Sequence, residues 1–243
     1  MKMKKNRFLK TAGALLILCL LTTCVIGTTF AKYVTSGSTT DQARVARWGV
    51  ELGLAGNNEL FDNEYTGTGG KVTVHAASDR LVAPGTTQNT AAVFSISGTP
   101  EVAVRITIDF TVNADVCLKA GTYPDPTTAT NPTDEFILGS DYYPVVFTLK
   151  QIEDANGATN VPIATGNLAT IKAALDDFNA DENRSYCPPN TNLKATFELT
   201  WAWAFIGNDA ADTYLANQTA GSSDATYNTQ VDFGITITVV QVD

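Results

Sequence analysis

Three stretches alternate apolar and polar residues with a period of two, and this constrains the chain more than any other feature. In VAVRITIDFTV, Val102, Val104, Ile106, Ile108, Phe110 and Val112 fall on one side, with Ala103, Arg105, Thr107, Asp109 and Thr111 on the other. Successive side chains of a strand point to opposite faces, so this pattern describes an antiparallel sheet packed on one side and wet on the other. In ATFELTWAWAF the apolar set is Phe197, Leu199, Trp201, Trp203 and Phe205; in VDFGITITVV it is Val231, Phe233, Ile235, Ile237 and Val239. Shorter strands are expected over 46–54, 71–76, 91–97 and 145–152.

One segment changes period. In NLATIKAALDDFNA, Leu168, Ile171, Leu175 and Phe178 recur at helical spacing, with Asn167 placed to cap. DAADTYLAN reads as a short further helix. Polar turns such as APGTTQN and CPPNTN separate the strands. The expected fold is mainly β: a jelly-roll-like antiparallel β-sandwich with one or two short helices. It occupies 44–243 as one domain, with 118–192 as an inserted lobe between core strands.

Ahead of it stands a hydrophobic signal helix. The first ten residues carry Lys2, Lys4, Lys5, Arg7 and Lys10 and no acid, and 11–31 has no charge at all. A basic start, an apolar run and small residues before a polar switch are the layout of an export signal. Thr29 and Ala31 suit the −3 and −1 positions, which places cleavage between Ala31 and Lys32. A run this long also spans a bilayer if retained, since about 20 apolar residues suffice. LTTC before Cys24 offers a third reading, lipid attachment, with Thr23 a poor residue for it. Cleavage of 1–31 leaves eleven Lys and Arg against 25 Asp and Glu, a net charge of −14. That balance argues against nucleic acid, whose binding rests on neutralising phosphates, and confines membrane association to the uncleaved signal.

Cys117 and Cys187 then remain. Outside the cell they are a candidate disulfide; the alternative is two unpaired thiols.

Catalytic chemistry has little to stand on. His75 is the single histidine, so neither a two-histidine zinc motif nor a second charge-relay site is available. No GxSxG occurs. Acidic residues cluster at Asp176, Asp177, Asp181 and Glu182 and again at Asp209 and Asp212. The last pair are the candidate calcium ligands, set against a simply solvated acidic surface. Trp201 and Trp203 suggest a carbohydrate platform, but their shared face with Phe197 and Leu199 makes them core.

Several stretches in order carry a resemblance: GTTFAKY, ARVARWGVEL, LVAPGTTQNTAAVFSISGTPEVAVRITIDF, ATFELTWAWAFIGNDAADTYLAN and the terminal VVQVD. Together they cover about half the chain and resemble the TasA/camelysin family of exported Gram-positive surface proteins, which depend on a SipW-type signal peptidase. The resemblance implies a secreted biofilm-matrix or fibre subunit that self-associates or joins sibling surface proteins. In fibre-forming relatives the mature N-terminal segment is donated as a strand to the neighbouring subunit. Carried onto this chain, the donor is 32–43, starting Lys32, Tyr33, Val34, Thr35. The family also includes a metal-dependent protease, which gives an enzymatic alternative using carboxylates with His75. A surface adhesin or carbohydrate-binding module is a third.

Overall fold

The computed structural model describes residues 12–18, 44–55, 60–66, 73–76, 80–128, 134–218 and 224–242. The chain divides into two units, 1–45 and 46–243. In the first, residues 12–18 are helical (α1). The Ala31–Lys32 bond, the segment 32–43 and Cys24 lie outside the described residues.

The second unit is mainly β, with antiparallel sheets and a few short helices. Its largest sheet joins β1 (Val50–Ala55), β4 (Ala92–Gly98), β12 (Leu193–Trp203), β9 (Val145–Asp154) and β10 (Gly157–Gly166), in that order. A smaller sheet orders β11 (Tyr186–Cys187), β5 (Val104–Ala114) and β14 (Asp232–Gln241). Minor pairs are β2 (Glu64–Thr66) with β3 (Thr73–His75), β6 (Cys117–Leu118) with β13 (Tyr227–Asn228), and β7 (Gly121–Pro124) with β8 (Glu135–Leu138).

The period-two stretches form the three strands that carry the core. On β5, Val104, Ile106, Ile108 and Phe110 are buried; on β12, Leu193, Ala195, Phe197, Leu199, Trp201 and Trp203 are. Each large apolar side chain taken fully out of water contributes about 1.5–3 kcal/mol. The two sheets share this core. Phe233 of β14 stacks on Phe110 at 5.2 Å between ring centroids and meets Phe147 of β9 edge-on at 6.2 Å. Trp201 closes the centre, its indole N–H donating to the Leu60 carbonyl over 2.9 Å.

Helix α2 (Leu168–Ala180) lies beside β5 and completes the second layer. Asn167 caps it, accepting from the Thr170 N–H at 3.0 Å, and the 3.6-residue spacing buries Leu168, Ile171, Leu175 and Phe178. Phe178 meets Phe197 edge-on at 5.4 Å. The interval 118–192, expected as an inserted lobe, is therefore corrected. It supplies β9, an inner strand of the large sheet, and α2, whose apolar face belongs to the common core. Two short helices remain, α3 (Glu182–Ser185) and α4 (Asp209–Ala216).

Strand register defines two ends. At one, called the Pro100 end, Val50 and Leu193 both face Gly98, and Gln241 faces Val104. The Thr99, Glu101 and Asn190 N–H groups donate there to the carbonyls of Gly49, Arg47 and Pro100. Only glycine fits at Gly98, where φ is +138° and an added Cβ would stand 1.9 Å from the Gly49 oxygen. At the other, the Trp203 end, Trp203 faces Val145 and Asp232 faces Ala114.

Candidate functional site

The most unusual feature of the second unit is an edge. Among the described residues β14 pairs with β5 on one side and with no strand on the other. Its outer backbone orientation follows from a contact across the sheet. The Asn179 carboxamide accepts the Ile108 N–H and donates to the Ile108 carbonyl, both at 2.8 Å. Both backbone groups of Ile108 thus turn away from β14, which makes Ile108 and its partner Ile237 a non-hydrogen-bonded pair. The N–H and C=O of Ile237 consequently point outward. Period two extends the same orientation to Ile235 and Val239, opposite Phe110 and Ile106.

The side chains tell the same story. Ile106, Ile108 and Phe110 of β5 are buried, whereas Phe233, Ile235, Ile237 and Val239 of β14 are only half-buried. The layer is short of cover along this strand. From Phe233 to Val240 it holds no charge and no proline. At its Trp203 end a groove of about 800 Å³ opens, its apolar side formed by Leu60, Phe61, Leu81, Val82, Val231 and Phe233 and its polar side by Arg80, Thr229, Gln230 and Asp232.

Other edges carry protection. β10, on the rim of the large sheet, holds Pro162, Asn160 at a φ of 49° and two register irregularities. Proline and bulges are standard ways to stop a strand recruiting another. β1, on the opposite rim, is six residues long and carries Glu51 and Gly53.

The expected chemical candidates are not brought together. Asp209 and Asp212 both sit in the first turn of α4, but Asp212 is buried and accepts a 2.7 Å hydrogen bond from the Tyr142 hydroxyl, while Asp209 is exposed. Burial pushes the Asp212 carboxyl above its ordinary range, and the Tyr142 hydroxyl opposes that shift. Among the described residues no three His, Cys, Asp or Glu side chains gather where an ion could bind. His75 is exposed on β3, with Nδ1 3.4 Å from Glu64.

The candidate disulfide is corrected. Cys117 and Cys187 are both free and buried. Cys187 pairs with Val104 at the start of β5, and Cys117 follows the end of that eleven-residue strand. At about 3.3 Å per residue, they stand far beyond the ~7 Å Cα limit for a disulfide. Burial raises both thiols above their ordinary range. Trp201 and Trp203 are buried, as their shared face predicts, so neither indole is a sugar platform. Phe205, expected on that same face, is instead 62% exposed because the strand ends at Trp203.

Sequence reasoning missed the β14 edge. Its signal was present as a long proline-free strand without charge from Phe233 to Val240. Which strand stands next to it is a matter of topology and has no local signature. Among the described residues no helix is long and apolar enough to cross a membrane. No protein-family model, curated protein or solved structure matches the chain.

Proposed function

We propose that this chain is an exported structural protein of jelly-roll type, a cell-surface or matrix subunit related to the TasA/camelysin proteins. In this reading it polymerises when one copy donates residues 32–43 to the open edge of β14 in the next. The observation that carries it is that edge: a ten-residue strand, charge-free from Phe233 to Val240, with half-buried inward side chains and outward N–H and C=O groups. An incoming strand satisfies those groups and covers that face.

The placement of the donor's root supports a chain of copies rather than a closed pair. The donor joins the second unit at Ala46, close to Arg47, whose N–H donates to Glu101 at 2.8 Å at the Pro100 end. The acceptor groove lies at the Trp203 end. Donor and acceptor at opposite ends form a heterologous contact, which repeats into a filament. A donor leaving the Pro100 end meets its neighbour at the Trp203 end and runs antiparallel to the neighbour's β14. Beyond Tyr33 and Val34 the donor has little apolar content, so backbone pairing supplies most of its affinity.

The test is electron microscopy of the secreted chain beginning at Lys32, beside a variant lacking 32–43. Fibres from the first and monomers from the second are expected. Fibres from both, or from neither, would overturn the strand-donation reading.

A further inference from the structure

A second contact at the same junction is written on the two ends of the molecule. After Trp203 the chain leaves the sheet in the loop to α4, where Phe205 is 62% and Ile206 85% exposed. Two adjacent large apolar residues held in water at a loop tip are costly unless something covers them. The tip stands at the Trp203 end, since the Trp203 N–H donates to the Thr86 carbonyl and the Trp203 carbonyl accepts from Gly85 just before it.

The Pro100 end carries a hollow. A cleft of about 420 Å³ opens between the β9–β10 turn, α3, β11 and the start of β12. Its floor is apolar, with Ile106, Phe178, Cys187 and Leu193; its rim is polar, with Asn183 and Arg184. Of the basic groups on the lining, Lys194 pairs with Glu153 at 3.2 Å, while Arg184 stands opposite the lining acid Asp154 on the other wall. The guanidinium of Arg184 sits over the Phe178 ring at 4.7 Å, which keeps a cation at the mouth.

We infer that the Phe205–Ile206 tip of one copy seats in this cleft of the copy stacked on it, with Asp209 of the tip facing Arg184 on the rim. This rests on the pole-to-pole stacking of the proposed function and adds a junction that uses no donated strand. The two contacts are mutually consistent. The copy that extends its donor from the Pro100 end also presents its cleft there, to the neighbour whose groove and tip share the Trp203 end. The apolar tip fills the apolar floor, and an acidic residue meets the Arg184 guanidinium in a molecule whose overall charge is otherwise repulsive. Tip and cleft are at opposite ends, so they meet only between copies.

The experiment introduces Ile206→Cys with Asn183→Cys, both at exposed positions, into the full chain starting at Lys32. Mild oxidation should then give a ladder of covalent dimers, trimers and higher species. Pairing Asn183→Cys with Ile137→Cys, exposed on the β7–β8 hairpin, should give none. Truncating the tip with Phe205→Ala and Ile206→Ala should raise the concentration needed for assembly by about tenfold or more, as for loss of a central anchor. Fibres without a ladder overturn the tip-and-cleft contact and leave strand donation standing. A ladder without fibres keeps the contact and removes strand donation. Neither ladder nor fibres removes both.

Discussion

The smaller sheet has two outer edges, and they are finished in opposite ways. Beyond β5 the backbone is covered at two places: β11 pairs with Arg105 and Val104, and the Asn179 carboxamide serves Ile108 as a neighbouring strand would. The helix that carries Asn179 is fixed at its other end too, where Asp115 accepts the Leu168 N–H at 2.8 Å. Beyond β14 there is no strand among the described residues, and the side chains beneath are half-buried. Two strands of similar composition, paired along their length, thus have different fates. What separates them is whether the fold spends a helix on the exposed backbone. Where it does, backbone groups of the edge are satisfied within the fold; where it does not, outward N–H and C=O groups remain of the kind an added strand pairs with.

The largest expected effect comes from blocking the open edge. Because the Ile237 N–H points outward, Ile237→Pro removes a donor needed by an incoming strand and none used by β5. It should abolish fibre formation, read by electron microscopy, while circular dichroism still reports the folded sheet. An intact fibre would mean that β14 is not the acceptor. Opening the sealed edge is the converse change. Asn179→Ala strands the N–H and C=O of Ile108 in partly buried surroundings, and each such group costs about 1–3 kcal/mol. Denaturant unfolding should show a loss of about 2–6 kcal/mol, with assembly retained. A neutral result would show that the carboxamide does not seal the edge.

A smaller effect tests the far end of the sealing helix. Burial pushes the Asp115 carboxyl up to about 6. A carboxyl raised in the folded state binds its proton more tightly there than in the unfolded chain. Stability from this group therefore grows as pH falls through about 6 and levels off below the unfolded value near 4. Asp115→Asn keeps an acceptor for Leu168 and should flatten that part of the pH profile of Tm. An unchanged profile would place the titration elsewhere. The smallest effect concerns the cysteines. Dithiothreitol should leave Tm unchanged, since Cys117 and Cys187 sit at opposite ends of β5; a fall would reveal a bridge.

The difference between the edges also explains how much was legible in the sequence. Alternation located β5, β12 and β14 to within about two residues, because each buries one face and the pattern records burial. The helical spacing of Leu168, Ile171, Leu175 and Phe178 located α2 for the same reason. It did not reveal that α2 stands in for a strand. That role depends on Asn179, a polar residue whose partner lies 71 positions away. β10 went unrecognised because its proline and bulges, which protect its edge, also erase the alternation. The alternation assigns Phe205 to the core because the pattern continues past Trp203, where the sheet stops. The site was least legible of all, since an edge open among the described residues is a matter of which strands stand side by side, not of local sequence.

The central claim is that β14 is an unfinished edge completed by another copy. Amide hydrogen exchange resolved at Ile108 and Ile237 tests it, in the chain lacking 32–43 and in assembled fibres. Protection of Ile108 in both forms, with Ile237 exchanging rapidly in the monomer and protected in the fibre, is the predicted result. Equal protection of Ile237 in monomer and fibre, or rapid exchange in both, would contradict it.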